Sequence, residues 1–383
     1  MKINFINNSY RRFYQAHKKE IDTAIQGCLT NGDLTLRKDV MTFEKRLAKF
    51  IGTKYAIGVG SGTDALFLSL KALGIGQGDE VITVSHTFIA SIQVIVHCGA
   101  TPVFADVDAN ELINVKQIEG LLTSRTKAIM PIHLTGSSCE MDAIMRVARK
   151  YKLYVIEDAA QALGAKYNGK KVGSFSNTGC FSFNTAKMMG AYGDAGAITT
   201  NDRKLYERLM LLRNHWNMAQ LSVNKKDFPP PKTFEWAFKS RLDNIQAAVL
   251  NVKMKYLSQM IKRRNKIAIR YIDELWHLPD FPVRYNKYEL PKEQEGRVWQ
   301  EFHIQIYEEQ RNKFVRYMAS KGIELLVRDE IPNHKLQGLG LEKWNLPITE
   351  KLAKTTIRLP LYPELTDEEV DYIIKCIKSF YGK

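Results

Sequence analysis

The sequence has no pair of closely spaced cysteines, no long apolar run and no block of basic residues. Its five cysteines, Cys28, Cys98, Cys139, Cys180 and Cys376, are scattered along 383 residues. This spacing is typical of reduced thiols packed as small apolar groups, and it indicates neither a disulfide framework nor a zinc site. We therefore expect no metal.

No stretch of about 18 apolar residues occurs, and the first eight residues, MKINFINN, lack the apolar segment of a secretory signal. A cytoplasmic protein that does not cross a membrane is therefore expected. Apolar residues make up 45% of the chain and charged residues 25%, as in ordinary globular proteins. A chain of this length is expected to form one large domain and a smaller one.

The formal net charge is +15, but the basic residues are interspersed with acidic ones. Short clusters such as Arg11-Arg12, Lys170-Lys171 and Lys262-Arg263-Arg264 form neither a long basic tail nor a known nucleic-acid motif. Neither nucleic acid nor a membrane is expected as a partner. The charge fits an ordinary solvated surface or an anionic, phosphate-bearing substrate.

Between about residues 51 and 200, short apolar runs alternate with longer amphipathic segments. This pattern predicts an α/β fold, a mostly parallel seven-stranded sheet flanked by helices. The candidate strands are Tyr55–Val59, Val81–Val84, Thr101–Phe104, Ala128–Ile132, Leu153–Ile156, Gly179–Phe183 and Gly196–Thr200. Candidate helices begin near Thr63, Phe88, Met141 and Lys204.

The last third of the chain has a different pattern. A loop is predicted at Pro229-Pro230-Pro231, since proline removes a backbone donor, and a long helix is predicted from about Leu242 to Leu275. The alternation in His303–Tyr307 predicts a strand, Asn312–Lys321 a helix, and Thr366 is expected to cap a helix ending at Phe380.

These patterns predict two domains. Residues 1–248 are expected to form the large α/β domain, and residues 249–383 a smaller α+β domain. The N-terminal segment is a candidate to pack on the smaller domain.

The segment GCFSFNTAK, residues 179–187, is typical of a short buried strand followed by one lysine. A desolvated lysine loses its charge, and the free amine attacks a carbonyl to form a Schiff base. Glycines at 190, 193 and 196 indicate a tight loop where backbone approaches closely. On this segment alone, Lys187 is either a covalent catalyst or a solvated strand end.

Three other strand ends carry residues suited to a flat, phosphorylated ligand. The stretch GVGSGT, residues 58–63, closes a strand and opens a helix, so its amides either hold a phosphate or form a tight turn. Asp158 either pairs with a protonated pyridine nitrogen or caps the next helix. Phe88 either stacks on a ring or belongs to the core. Together with Lys187, these residues favour a site for pyridoxal 5′-phosphate.

These residues resemble the DegT/DnrJ/EryC1/StrS family of sugar aminotransferases, which use pyridoxal phosphate and have the aspartate-aminotransferase-like fold type I. The resemblance covers nearly the whole chain. The segments that carry it are residues 43–52, 61–66, 157–161, 181–187, 193–196, 213–215, 241–248 and 359–363.

The resemblance implies a role for each residue of the cofactor site. Lys187 would bind the cofactor aldehyde covalently, and Asp158 would pair with the ring nitrogen. Gln161 would contact the phenolic oxygen, and Phe88 would stack on the ring. The residues implied to hold the phosphate are Gly62, Thr63 and Ser182.

In this family the active site lies between two subunits, so the resemblance also implies a homodimer. The segment before Arg241 would reach the neighbouring phosphate, and Lys239 stands there where many relatives have asparagine. A full charge at this position still suits a phosphate. The substrate-facing positions are implied to be His86, Asn184, Arg213, His215, Asp329 and His334. Residues 328–330 depart from the pattern of relatives, which leaves the sugar open.

The implied reaction moves the amino group of L-glutamate to a keto group of a nucleotide-linked deoxysugar, for surface polysaccharides, lipopolysaccharide or natural products. Segment His86–Ser91 is similar to relatives that act on a dTDP-linked 3-keto-6-deoxyhexose. Sugars with a 4-keto group, octulosonates and cyclitols remain alternatives. A dehydratase of the same fold commonly has histidine in place of Lys187, and a regulatory homologue would be expected to lack the Lys187 and Asp158 pair.

Overall fold

The computed structural model of the chain describes residues 2–216, 234–278, 296–327 and 330–382. The predicted proline loop at 229–231 and the candidate residue Asp329 lie outside these ranges.

Strands β1 to β11 follow one another along the chain in three sheets. They are β1 Tyr55–Val59, β2 Glu80–Val84, β3 Thr101–Ala105, β4 Thr126–Ile129, β5 Tyr154–Asp158, β6 Lys166–Tyr167, β7 Lys170–Lys171, β8 Thr178–Ser182, β9 Gly196–Thr200, β10 Phe302–Gln305 and β11 Thr356–Leu359. Strands β6 and β7 form a short hairpin, and β10 pairs with β11 in a separate two-stranded sheet.

The central sheet has seven strands in the spatial order β1-β9-β8-β5-β4-β2-β3. Strand β9 runs antiparallel to β1 and β8, whereas the other neighbouring strands run parallel. The predicted α/β fold with a mostly parallel sheet is confirmed. Helices cover both faces of such a sheet, which explains why every residue of β2 and β9 is buried.

Helices α1 to α12 complete the fold. They are α1 Phe5–Asn31, α2 Lys38–Ile51, α3 Gly62–Ala72, α4 Ala90–His97, α5 Val115–Ile118, α6 Met141–Tyr151, α7 Arg203–Leu212, α8 Asn244–Lys253, α9 Leu257–Leu275, α10 Glu308–Ser320, α11 Pro347–Thr355 and α12 Asp367–Phe380. In the described part of the chain, none of the helices combines the length and apolar character needed to cross a membrane.

Side-chain caps fix where several helices begin. Ser61 accepts a hydrogen bond from the amide of Asp64 at the start of α3. Thr366 and Glu369 form a capping box at the start of α12, as the sequence predicts for Thr366. These caps satisfy amides that have no partner inside the helix.

The long helix predicted from Leu242 to Leu275 is instead two helices, α8 and α9, separated at residues 254–256. The hydroxyl of Tyr256 bonds to Glu20 of α1, and its amide donates to the carbonyl of Lys253. Contacts with a distant helix therefore accompany the break, and apolar periodicity could not reveal them.

The described residues form two large hydrophobic cores. The larger core surrounds the central sheet, and the smaller one is formed by α9, α10, α12, β10 and β11. The predicted boundary at residue 248 falls inside α8, while Leu257 belongs to the larger core and Ile267 to the smaller. The N-terminal segment contributes Ile3 to the smaller core, where it pairs with Ile323.

Candidate active site

A cavity of about 380 Å³ lies at the edge of the sheet where β1, β5 and β8 end. In open α/β sheets this edge is where ligands bind. Eight of the predicted site residues lie in its wall: Gly62, Thr63, Phe88, Asp158, Gln161, Ser182, Asn184 and Lys187.

One end of the cavity is formed by the start of α3 against the end of β8. A Cβ atom on Gly62 would lie only 2.6 Å from the Cβ of Ser182, and one on Gly196 only 2.1 Å from the carbonyl oxygen of Ser61. Glycine is therefore needed for the two backbones to approach. The amides and dipole of the helix start, with the hydroxyl of Ser182, are suited to a phosphate. We call this end of the cavity the phosphate cup.

Asp158 ends β5 and is 5% exposed. Its Oδ2 accepts a hydrogen bond of 2.8 Å from Ser91 Oγ, and its Oδ1 accepts one of 3.1 Å from the amide of Ala160. Burial raises the pKa of this carboxyl, while these hydrogen bonds and then the charge of Lys187 act in the opposite direction. A protonated ring nitrogen would supply the counter-charge that this buried carboxylate requires.

The neighbouring Glu157 and His133 support Asp158. Glu157 is fully buried and accepts hydrogen bonds from His133 Nε2 at 3.1 Å and from the amide of Gly173 at 2.6 Å. Since His133 Nδ1 accepts from the amide of Cys139, its proton lies on Nε2, toward Glu157. The amide of His133 donates to the carbonyl of Asp158 at 2.9 Å. This network fixes the backbone that carries the aspartate.

Lys187 lies on a tight loop between β8 and β9. Its amide donates to the carbonyl of Asn184, whose side chain donates to Asp194 at 2.8 Å. A Cβ on Gly190 would lie 2.3 Å from the carbonyl oxygen of Thr185, so this close approach requires glycine. Lys187 lies in the wall of the main cavity and of a second cavity of about 290 Å³.

Gln161 and Phe88 complete the cavity. Gln161 Oε1 accepts from the amide of Thr135 at 2.7 Å, which orients the side-chain amide group. Its Nε2 donates to Glu301 Oε1 at a long 3.4 Å, and a donor in this position suits a phenolate oxygen. Phe88 is 51% exposed at the cavity wall, so it is not a core residue.

Three candidate residues, His86, His215 and Lys239, are not in the wall of this cavity. His215 and Lys239 are exposed, and the backbone of Lys239 pairs with that of Asn214. His86 lies instead in the wall of a small cavity of about 20 Å³, together with His303. None of these three residues is in the wall of the main cavity.

Two candidate substrate residues are instead buried in hydrogen-bonded networks, and these assignments need correction. Arg213 is 1% exposed, and its Nη1 donates to Glu44 at 2.5 Å and to the carbonyl of Gly58 at 2.7 Å. His334 is completely buried between Ser85, at 2.8 Å, and Glu350, at 3.1 Å. Both side chains therefore stabilise the fold.

Sequence reasoning missed the residues that hold Asp158 in place. Ser91 lies three positions after Phe88, and this helical spacing could have indicated that it faces the same cavity. The contact between His133 and Glu157 joins two strand ends, and no local pattern signals it.

The cavity combines the phosphate cup with a buried carboxylate, a lysine and an aromatic ring. This combination fits pyridoxal 5′-phosphate and defines a pyridoxal-phosphate enzyme with an α/β fold. A sequence model of the DegT/DnrJ/EryC1/StrS aminotransferase family matches residues 15–378. The chain belongs to this family, and it is an aminotransferase.

The relatives include two named sugar transaminases. A dTDP-3-amino-3,6-dideoxy-alpha-D-galactopyranose transaminase from Aneurinibacillus thermoaerophilus is 40% identical over 379 residues, covering 97% of this chain and 98% of the relative. A UDP-N-acetyl-3-dehydro-alpha-D-glucosamine 3-aminotransferase from Acidithiobacillus ferrooxidans is 35% identical, covering 96% and 95%.

A solved structure supports the same fold. The crystal structure of S. venezuelae DesV in complex with a ketimine intermediate has a TM-score of 0.90 and 32% sequence identity. The match covers 100% of this chain and 99% of that chain.

Proposed function

We propose that this aminotransferase moves the amino group of L-glutamate to the keto group of a nucleotide-linked deoxysugar, with a dTDP-linked 3-keto-6-deoxyhexose as the first candidate. The observation that carries the proposal is that Lys187 and Asp158 face one cavity beside a phosphate cup. The two relatives named for 3-amino sugars support a 3-keto substrate.

The residues of this chain have distinct roles in the proposal. Bound pyridoxal phosphate supplies an electrophilic carbonyl and a ring that delocalises negative charge. The start of α3 and Ser182 hold and orient its phosphate. Asp158 keeps a proton on the ring nitrogen, and Lys187 Nζ removes and returns a proton as general base and acid. The Ser91 hydroxyl keeps the Asp158 carboxylate in position.

Substitutions of the two central residues test these roles. Lys187→Ala should abolish turnover and keep the fold and part of the cofactor affinity; a variant with the normal rate would contradict the assignment. Asp158→Ala should lower the rate by several orders of magnitude, because electrostatic stabilisation is usually the largest contribution to catalysis. A loss of only a few-fold would favour a capping role for Asp158.

A regulatory homologue that binds a ligand without catalysis is the alternative from another class. The retained Lys187 and Asp158 in one cavity argue against it. Incubation with pyridoxal phosphate and L-glutamate decides the question: the enzyme forms 2-oxoglutarate, whereas a cofactor-loaded regulator does not.

The acceptor is identified with a panel of dTDP-linked and UDP-linked 3-keto and 4-keto sugars, with glutamate as donor. The amino product is detected by its mass. We expect the 3-keto sugars to react fastest. Amination of a carbohydrate without a nucleotide, and of nothing else in the panel, would overturn the nucleotide-sugar assignment.

We further propose a homodimer in which Lys239 contacts the neighbouring phosphate. Two aromatic residues beside it, Phe234 and Trp236, are 80% and 99% exposed, and exposed aromatic side chains often mark interfaces. Mixed dimers of Lys187→Ala and Lys239→Ala subunits contain one intact site if the site is shared. Restored tight cofactor binding in the mixture supports the proposal, and unchanged weak binding opposes it.

A reducing compartment such as the cytoplasm is proposed as the place of action. All five cysteines are buried and unpaired, which is typical of proteins kept under reducing conditions. The product would be an amino sugar for surface glycans or natural products.

A further inference from the structure

We propose that the cavity of about 290 Å³ beside Lys187 binds the amino donor, and that Arg358 takes a carboxylate of the donor in exchange for Glu301. This inference rests on the proposed function and names the residues that select the donor.

The position of the cavity is the first argument. It lies between the Lys187 loop, Tyr10 of α1 and the smaller domain, and its wall includes Thr185 and Lys187. Because Lys187 is also in the wall of the 380 Å³ cavity, a compound in this second cavity lies next to the reactive amine. Its volume is sufficient for an amino acid.

The charges of the wall are the second argument. Among the described residues, the wall contains the arginines Arg264 and Arg358, the lysine Lys187 and one carboxylate, Glu301. Nη1 of Arg264 donates to three backbone carbonyls at 2.8 to 3.3 Å, which hold its guanidinium in place. Burial lowers the pKa of Arg264 to about 10, so it stays charged at neutral pH. This surplus of positive charge favours an anionic ligand.

The partners of Glu301 are the third argument. Glu301 Oε1 pairs with Arg358 Nη1 at 2.8 Å, and Oε2 contacts His303 Nε2 at 3.1 Å. The other nitrogen of His303 contacts Glu111 at 2.7 Å. When Arg358 turns to a ligand carboxylate, Glu301 therefore keeps the imidazole as its partner. The ring of a keto sugar carries no charge and would leave the Arg358–Glu301 pair intact. The same cavity therefore suits first the carboxylate of the amino donor and then the uncharged sugar ring.

The test measures binding to the apoprotein, without turnover. The probes are N-(5′-phosphopyridoxyl)-L-glutamate and N-(5′-phosphopyridoxyl)-propylamine, which lacks both carboxylates. We expect Arg358→Gln to weaken binding of the glutamate adduct by about 10- to 150-fold, the usual effect of losing a hydrogen bond to a charged group. Binding of the propylamine adduct should be unchanged, and Arg358→Lys should restore part of the preference for glutamate.

Arg263→Gln is the matched control for Arg358→Gln. Arg263 is also an arginine paired with a carboxylate, Asp367 at 2.6 Å, but it is not in the cavity wall. This substitution should leave both affinities unchanged. If Arg358→Gln does not fold, the double variant Arg358→Met/Glu301→Gln leaves neither charge unpaired and should show the same loss of preference. Equal weakening of both adducts, or no weakening, would overturn the inference.

The two proposals fail in different ways. If glutamate yields 2-oxoglutarate with the same KM in Arg358→Gln, the donor assignment of Arg358 fails and the function stands. If the wild-type protein forms no 2-oxoglutarate but binding still depends on Arg358 and a carboxylate, the proposed function fails and the anion site stands.

Discussion

Replacing Gly62 by alanine tests whether the start of α3 is the phosphate cup. The new Cβ would lie 2.6 Å from Ser182 Cβ and 3.2 Å from its Cα. Carbon atoms pack at about 3.5 to 4.0 Å, so helix and strand must separate by about 1 Å. Such overpacking costs roughly 1 to 3 kcal/mol. We therefore expect Gly62→Ala to lower the stability of the apoprotein.

The same displacement should weaken phosphate binding. Each hydrogen bond to a charged group contributes roughly 1.5 to 3 kcal/mol, so losing one raises Kd by about 10- to 150-fold. The assay compares Kd for pyridoxamine 5′-phosphate with Kd for pyridoxamine, neither of which has an aldehyde for Lys187. Only the phosphorylated compound should lose affinity in Gly62→Ala.

Gly27→Ala is the control, because a Cβ at Gly27, inside α1, meets nothing within 4 Å. This change should raise helix stability by up to about 1 kcal/mol and leave both affinities unchanged. Adding Ser182→Gly to Gly62→Ala should remove the closest contact and recover part of the stability relative to the additive sum. Unchanged affinity for pyridoxamine phosphate in Gly62→Ala would refute the assignment of the cup.

Three further substitutions test the supporting structure. Burial lowers the pKa of Lys253 to about 8. Between pH 8 and 10 the unfolded chain therefore binds more protons than the folded protein, and the free energy of unfolding should rise with pH. We expect this rise to exceed that of Lys253→Met by at most about 3 kcal/mol. Thermal unfolding of both apoproteins from pH 7 to 10 measures this difference, and parallel curves would contradict it. Glu157→Gln should destabilise the apoprotein by about 1 to 3 kcal/mol for each buried donor left unpaired, as measured by urea unfolding; an unchanged midpoint would show that the network is dispensable. Arg12→Gln removes a bidentate pair with Glu369 at 2.6 and 2.7 Å, and limited proteolysis should then cleave near the N-terminus faster than in Arg11→Gln.

The strands of the central sheet were predictable because they are short apolar runs bounded by polar residues. Strand β9 occupies the predicted residues Gly196–Thr200. Its reversed direction was not predictable, since alternation and burial look the same in parallel and antiparallel strands. That the predicted cofactor residues meet in one cavity was predictable for a related reason: they follow strand ends, and the ends of parallel strands meet at one edge.

The predictions that Arg213 and His334 face the substrate do not fit their burial, which depends on contacts between distant parts of the chain. Arg213 bonds to Glu44, 169 positions away, and His334 to Ser85, 249 positions away. A charged residue next to a recognisable motif suggests a ligand contact, but burial gives it a protein partner instead. Ser91 was missed although its spacing from Phe88 was a usable signal, because its partner Asp158 is 67 positions away along the chain.

The reversed direction of β9 has a consequence for motion at the site. The loop from Phe183 to Ala195 leaves the sheet at the end of β8 and returns at the start of β9, and Phe183 donates to Ala195 at 2.8 Å. Both ends of the loop are thus held at the same edge of the sheet. We therefore expect Nζ of Lys187 to change position by rotation about its own side-chain bonds, without displacement of the two ends of the loop.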